Sequence, residues 1–174
     1  MHNCDWIVMG ANTEKEHIAC QNPIAPDIFR NFQVKRTLPT RVLVIDDDNA
    51  TTDLFKLILK PNEFEVHVVN SGPEGIEAAR RLSPEVVVLD LLMPEMDGSD
   101  VCRAIRSFSQ VPILVLSAVS KPGMVAQALD EGADDYLLKP ITSSVLIARL
   151  KRLVWRARAE NEANGNNLNL YQAN

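Results

Sequence analysis

The middle of the chain alternates between short apolar runs and longer segments in which apolar residues recur at helical spacing. The clearest run is Val86–Leu89, which ends in Asp90 and precedes a loop containing Pro94 and Gly98. An uninterrupted apolar run of this length, closed by a turn, is typical of a strand buried on both faces. Similar runs predict four more strands, at Val42–Ile45, Phe64–Val69, Pro112–Leu116 and Tyr136–Leu138.

The segments between and after these runs predict five helices. The first begins near Asp48, with Asn49 as a candidate N-cap, and Pro61 stops it. The others begin at Gly72, Gly98, Pro122 and Ile141, and the last runs to about Arg158. The positions expected to face a core are Leu54, Leu57 and Ile58; Ile76, Ala79 and Leu82; Val101, Cys102 and Ile105; and Leu146, Leu150, Leu153 and Val154.

Strand and helix alternate five times, which predicts an α/β fold with a parallel sheet and helices on both faces. The domain is expected over residues 40–158. Residues 1–39, interrupted by Pro23, Pro26 and Pro39, are expected to form an irregular or loosely docked extension. His2, Cys4, His17 and Cys20 lie in this extension, but their spacing does not match a familiar zinc finger. The polar residues 159–174 are expected to be a linker, or the start of an output domain that this chain does not contain.

Composition narrows the class of protein. The net charge of −5 argues against a chain built as a whole to coat nucleic acid. Three cysteines without a CxxC pair indicate a reducing compartment rather than a disulfide framework. No apolar stretch reaches the roughly 18 residues that a membrane span needs, and no signal peptide is expected. We therefore expect a cytoplasmic protein without a membrane partner.

Polar residues stand where the predicted strands end. Asp46 and Asp47 follow the first strand, Asp90 ends the third, Ser117 ends the fourth and Lys139 follows the fifth. Parallel strands bring these ends to one edge of the sheet. Clustered carboxylates repel one another unless a cation neutralises them, and Mg²⁺ suits such a site because it also accepts phosphate oxygens. An aspartate placed there can act as a nucleophile toward a phosphoryl group.

Four segments now resemble one family, the receiver domain of bacterial two-component response regulators. They are Val-Ile-Asp46-Asp47-Asp48, Leu-Asp90-Leu-Leu-Met-Pro94-Glu-Met-Asp97-Gly98, Val-Leu-Ser117-Ala118, and Gly132-Ala-Asp-Asp-Tyr136-Leu-Leu-Lys139-Pro140. The resemblance runs from about Arg41 to Arg156, and within the family we expect the winged-helix class of transcription factors. It implies a flavodoxin-like (βα)5 three-layer sandwich with strand order 2-1-3-4-5.

The resemblance also implies roles for the strand-end residues. Asp90 would take a phosphoryl group from a sensor histidine kinase, with Ser117 and Lys139 contacting that group. Asp46, Asp47, Asp90 and the main-chain carbonyl of Leu92 would hold Mg²⁺. Ser117 and Tyr136 would form the conformational switch. Asp48 is expected to start a helix rather than bind metal.

A homodimer is the second expectation from the resemblance. In the winged-helix class, activated receivers pair through the face of helix four, strand five and helix five. The charged residues expected on that face are Glu131, Asp134, Asp135, Arg149, Arg152 and Arg156. The alternative interpretation is solvated surface charge. Val125 and Val145 replace a further charged pair that the class often has.

The output is left open by the sequence. One interpretation is transcription regulation through a DNA-binding domain outside this chain; another is a stand-alone receiver that docks on a protein. A phosphorylation-independent binding module and a magnesium-dependent phosphatase are rivals. The phosphatases usually have a second acid two residues after the nucleophile, where this chain has Leu92. We therefore expect a phosphoacceptor switch rather than an enzyme that turns over an external substrate.

Overall fold

Five parallel strands form the centre of the molecule. The computed structural model describes residues 38–119 and 122–171. The strands are β1 Thr40–Ile45, β2 Phe64–Val69, β3 Val86–Asp90, β4 Ile113–Ser117 and β5 Asp135–Leu138. Their order in the sheet is β2-β1-β3-β4-β5, and each neighbouring pair is parallel. The predicted fold class and strand order are confirmed.

Five helices connect and cover the strands. They are α1 Asn49–Leu59, α2 Gly72–Leu82, α3 Gly98–Arg106, α4 Pro122–Asp130 and α5 Ser143–Tyr171, with a short 3₁₀ turn at Lys60–Asn62. Helices α1 and α5 pack on one face of the sheet, and α2, α3 and α4 pack on the other. The result is the three-layer sandwich expected from the sequence.

The core divides in two because successive residues of a strand point to opposite faces. In β1, Val42 and Val44 pack with the α1 and α5 side, whereas Leu43 and Ile45 pack with the α2–α4 side. The apolar positions predicted for α3 and α5 are all buried, including the thiol of Cys102. Burial raises the pKa of that thiol, as expected of a cysteine that fills the core rather than reacts.

The predicted inward face of α1 is wrong at two of its three positions, since only Ile58 packs against the core. Leu54 and Leu57 are 53% and 74% exposed, while Thr52, Phe55 and Leu59 are buried. Five of the helix's last six residues are apolar, so the period alone fits more than one face. Packing against the sheet selected the face that carries Phe55 and Leu59.

The start of α1 is capped one residue earlier than Asn49. Asp48 has extended backbone dihedrals, and its side chain accepts hydrogen bonds from the Ala50 N–H at 3.0 Å and the Thr51 hydroxyl at 2.7 Å. The Thr51 bond lowers the pKa of Asp48. Asp48 is therefore the N-cap, which confirms its expected place at the helix start.

Helix α5 is longer than predicted. It continues beyond Arg158 to Tyr171 rather than giving way to an irregular segment. Ala159, Glu160, Glu162 and Ala163 are strong helix formers, and their propensity favours continuation through residue 163. Asn164, Gly165, Asn166 and Asn167 are weak helix formers, so propensity does not explain the last turns. The domain boundaries as such stay a prediction. Residues 1–37 of the N-terminal extension, with its candidate zinc ligands, lie outside the described residues.

Within residues 38–119 and 122–171, none of the helices is both long enough and apolar enough to serve as a membrane span. The longest, α5, carries several lysine and arginine side chains along its length.

Candidate functional site

The predicted strand-end residues meet at one edge of the sheet. Asp46 directly follows β1, Asp90 is the last residue of β3, and both side chains are almost fully buried. Asp47 is exposed beside them. Each of the three carboxylates offers an oxygen atom within 4.8 Å of the others. Ser117, at the end of β4, is completely buried.

Lys139 joins two of the acids. Its Nζ donates to Asp46 Oδ2 at 2.9 Å and to Asp90 Oδ2 at 2.8 Å. The Lys139 N–H also donates to the Ser117 carbonyl at 2.8 Å, which fixes the lysine to the end of β4. The site thus contains three carboxylates and one ammonium group, so negative charge predominates.

Burial shifts the pKa values of Asp46 and Lys139. Burial raises the pKa of Asp46, and the hydrogen bond from Lys139 offsets only part of this effect. For Lys139, burial acts to lower the pKa, but the hydrogen bonds to Asp90 and Asp46 outweigh it and the pKa lies above its ordinary value. Asp46 therefore carries a charge at a cost that an additional cation would relieve.

The donor set fits a hard divalent cation. Carboxylate oxygens from Asp46, Asp47 and Asp90 lie close enough to share one ion, and Mg²⁺ prefers oxygen ligands of this type. Asp90 Oδ1 accepts the Leu92 N–H at 3.3 Å, so the loop after β3 also folds back toward the acids.

Comparison with known proteins identifies the family. Residues 42–151 match the family model described as the response regulator receiver domain, which is more than half of the chain. The chain belongs to the response regulator receiver family. The DNA-binding response regulator MtrA of Mycolicibacterium smegmatis is 38% identical over 124 residues, covering 71% of this chain and 54% of MtrA. Response regulator MprA of Mycobacterium leprae is 40% identical over 124 residues, covering 71% and 52%. The receiver chain spans about half the length of these relatives.

Solved structures agree with this assignment. The BeF3-activated receiver domain of Klebsiella pneumoniae RstA matches with a TM-score of 0.64 and 30% identity, covering 66% of this chain and 98% of that one. The receiver domain of a putative LuxO repressor protein from Vibrio parahaemolyticus matches with a TM-score of 0.68 and 26% identity, covering 72% and 98%.

Ser117 and Tyr136 are linked in this receiver through Val119. The Val119 N–H donates to Ser117 Oγ at 3.1 Å, and the Tyr136 hydroxyl donates to the Val119 carbonyl at 2.8 Å. Val119 therefore accepts a bond from Tyr136 and donates one to Ser117, so a single residue connects the two side chains.

The charged surface of β5 and α5 is already paired within the receiver. Arg149 contacts Asp135 at 3.0 Å, and Arg156 contacts Asp134 at 2.6 Å. Glu131 contacts Arg103 of α3 at 3.3 Å. Arg152 lines the same small cavity as Asp134 and Asp135, but no ion pair among the described residues includes it.

Two residues support the site in a way that was not assigned to them from the sequence. Gly98 begins α3 against the main chain of Asp90 and Leu91, and its N–H donates to the Leu91 carbonyl at 3.0 Å. The Asn70 side chain donates to the Asp46 carbonyl at 2.8 Å. Asn70 directly follows β2, so its position at a strand end was a signal that could have found it.

Replacing Lys139 by methionine is expected to lower the free energy of unfolding. It should also remove part of the decrease in that free energy that the wild type shows at alkaline pH. Because the folded-state pKa of Lys139 is raised, its stabilising contribution is fully present below the ordinary value of 10.5 and is lost as pH rises through the folded value. In metal-free buffer near neutral pH we expect a loss of about 2 kcal/mol, within the range for hydrogen bonds to charged groups, since Asp46 and Asp90 lose their shared cation. Urea unfolding measured across this range tests both effects.

Lys56→Met is the matched control, because Lys56 pairs with Asp53 at 2.9 Å on the exposed side of α1. This variant should lower the free energy of unfolding only slightly, because exposed ion pairs contribute little. Equal losses in the two variants, or an unchanged alkaline profile for Lys139→Met, would contradict the assignment of the pair.

Proposed function

We propose that this receiver accepts a phosphoryl group on Asp90 from a sensor histidine kinase and thereby changes its surface and its state of assembly. The observation that carries the proposal is the Lys139 ammonium group bridging Asp46 and Asp90, beside Asp47 and Ser117. This arrangement supplies a carboxylate acceptor, a cation and a hydroxyl at the end of one sheet.

The chemistry needs a single displacement. A carboxylate oxygen of Asp90 attacks phosphorus and forms the bond of an aspartyl phosphate, while the bond from phosphorus to the donor nitrogen breaks. The electron pair of that bond stays on the nitrogen, and the donor histidine leaves as a neutral imidazole that has taken a proton from solvent. Lys139, already within hydrogen-bond distance of Asp90, would donate to one oxygen of the transferred group, and the Ser117 hydroxyl to another. These donors favour the charge that the phosphoryl group brings.

Mg²⁺ is the cofactor that the acidic set supports. Asp46, Asp47 and Asp90 would hold the ion together with the Leu92 carbonyl. When bound, it neutralises carboxylate charge and so lets the anionic donor approach. The raised pKa of Asp46 accords with a site in which a second cation is favourable.

The signal would leave the site through Ser117. A hydroxyl that turns toward the phosphoryl group gives up its bond from the Val119 N–H, and Val119 also accepts the Tyr136 hydroxyl. Tyr136 lies on β5, next to the Asp134, Asp135 and Arg149 surface. A change at Asp90 can therefore reach the surface proposed for dimerisation.

Partner surfaces are also suggested by exposure and charge. Leu54 and Leu57 leave an exposed apolar surface on α1, the helix that begins directly after the acidic residues. This exposed apolar surface, on a helix that begins beside the acidic site, supports α1 as a docking surface for the protein donor. The relatives named DNA-binding response regulators support transcription regulation as the output, with DNA bound by a separate domain.

Intact mass spectrometry tests the central proposal. The purified chain is incubated with Mg²⁺ and acetyl phosphate, and a gain of one phosphoryl group is expected. The gain should disappear when Mg²⁺ is removed with EDTA. Sustained hydrolysis of phosphate esters without a stable adduct would instead favour the phosphatase interpretation.

The aspartyl phosphate is expected to decay slowly. Leu92 and Val119 stand two residues after Asp90 and Ser117, and neither side chain can orient an attacking water molecule. Leu92→Asn should shorten the half-life of the aspartyl phosphate by about tenfold. This effect is smaller than the rate gain usual for general acids and bases, because asparagine can orient the water molecule but does not take its proton. Leu129→Asn, which changes a similarly exposed leucine on α4, is the control. A half-life of seconds that Leu92→Asn does not change would refute this prediction.

Dimerisation is expected to depend on Arg152. Phosphorylated wild-type chain should approach twice the monomer mass in light scattering, whereas Arg152→Glu should stay monomeric because it places a carboxylate beside Asp134 and Asp135. Lys151→Glu makes the same change of charge beside Trp155, on another surface of α5, and should still dimerise. An equal effect of both variants would assign the loss to net charge alone.

A further inference from the structure

Asn70 contacts the acidic turn from a neighbouring strand. It follows β2, the edge strand beside β1, and its Nδ2 donates to the Asp46 carbonyl at 2.8 Å. That carbonyl belongs to the peptide group joining Asp46 to Asp47. The bond therefore acts on the main chain between two candidate metal ligands, without occupying either carboxylate.

The rest of Asp46 is held by three other bonds. Its N–H donates to the Val69 carbonyl at 3.3 Å, Oδ1 accepts the Asp48 N–H at 3.0 Å, and Oδ2 accepts Lys139 Nζ at 2.9 Å. Two of the hydrogen bonds join Asp46 to the end of β2, one to Val69 and one from Asn70, and the bond from Asn70 is the shorter. Asp47 is exposed, so little packing fixes the direction of its side chain.

We propose that Asn70 is a positioning residue that fixes the Asp46–Asp47 peptide and so presets both carboxylates for a divalent cation. Hydrogen bonds outside the ligand set orient the ligands and raise metal affinity in this way. The inference rests on the proposed function, because it takes Asp46, Asp47 and Asp90 to be the Mg²⁺ ligands. It predicts weaker binding of Mg²⁺, rather than a lost chemical step, when the amide is removed.

Asn62 provides a matched control. Its Nδ2 also donates to a main-chain carbonyl at 2.8 Å, that of Ile58, but it lies between α1 and β2, at the opposite end of the sheet. Asn62→Ala and Asn70→Ala remove the same kind of bond. A purely structural role for Asn70 predicts the same behaviour in both variants.

The experiment is calorimetric titration of the unphosphorylated full chain with MgCl₂, with urea unfolding in EDTA as the second measurement. Asn70→Ala should weaken Mg²⁺ binding by about tenfold, the lower end for supporting residues, while Asn62→Ala should leave it unchanged. Asn70→Ser keeps a donor of shorter reach and should give an intermediate affinity. At saturating Mg²⁺, phosphoryl incorporation in Asn70→Ala should return to the wild-type rate.

The inference is overturned if Asn70→Ala binds Mg²⁺ as tightly as wild type, or if its incorporation stays low at saturating Mg²⁺. It is also overturned if Asn62→Ala weakens binding equally. The proposed function fails separately: wild-type chain that binds Mg²⁺ but takes up no phosphoryl group would refute phosphoacceptance, while the calorimetric comparison would still test Asn70.

Discussion

Asp90→Asn should abolish phosphoryl incorporation from acetyl phosphate. The amide has nearly the size of the carboxylate, so the buried end of β3 keeps its packing, but the nucleophilic oxygen with its negative charge is lost. The bridge from Lys139 also weakens, because only one of its two acceptors stays charged. Intact mass should show no adduct in the variant under conditions that give one in the wild type.

Asp97→Asn controls for the same chemical change on the same loop. Asp97 caps α3 through a bond from the Ser99 N–H at 3.1 Å, and asparagine caps helices about as well as aspartate. This variant should incorporate phosphoryl normally. An adduct that persists in Asp90→Asn would place the acceptor on another residue and end the proposal in its present form.

Gly98→Ala should destabilise the receiver by about 3 kcal/mol, because overpacking against main-chain atoms leaves little room to relax. A Cβ atom at Gly98 would overlap the Asp90 main-chain oxygen and come within 2.8 Å of Leu91 Cα. To relieve this overlap, the start of α3 must move away from the end of β3, which carries Asp90. Phosphoryl incorporation should therefore slow as well, and urea unfolding beside mass measurements would show both effects.

Gly123→Ala is the matched control for this substitution. Apart from its chain neighbours and the nearby backbone of its own helix, no atom lies within 4 Å of a Cβ built at Gly123 in α4, so alanine should be neutral or slightly stabilising there. A Gly98→Ala variant as stable as Gly123→Ala would show that the contact between α3 and β3 is looser than the structure has it.

The strands and the membership of the site were predictable from the sequence for a physical reason. Runs such as Val86–Leu89 are buried on both faces, and parallel strands place their ends together, so Asp46, Asp90 and Ser117 could be brought to one edge without coordinates. Their separate roles came from the resemblance to receivers. Those roles stay proposals, although the close contact of Lys139 with both acids supports them.

The features that could not be predicted depend on packing between segments distant in sequence. The exposed side of α1 was decided by how Phe55 and Leu59 meet the sheet, not by the apolar period of the helix. The bond from Asn70 exists because the crossover places β2 beside β1. The continuation of α5 through Ala163 was missed for a different reason, because polar composition was given more weight than helix propensity.

The Lys139–Asp46 contact joins residues 93 positions apart, one directly after the first strand and one directly after the last. The cluster of Asp46, Asp90 and Lys139 is therefore complete only once β5 has been synthesised and docked against β4. Until then the two buried acids lack the ammonium group that pairs with them in the folded chain. The site thus depends on nearly the whole length of the sheet rather than on one local segment.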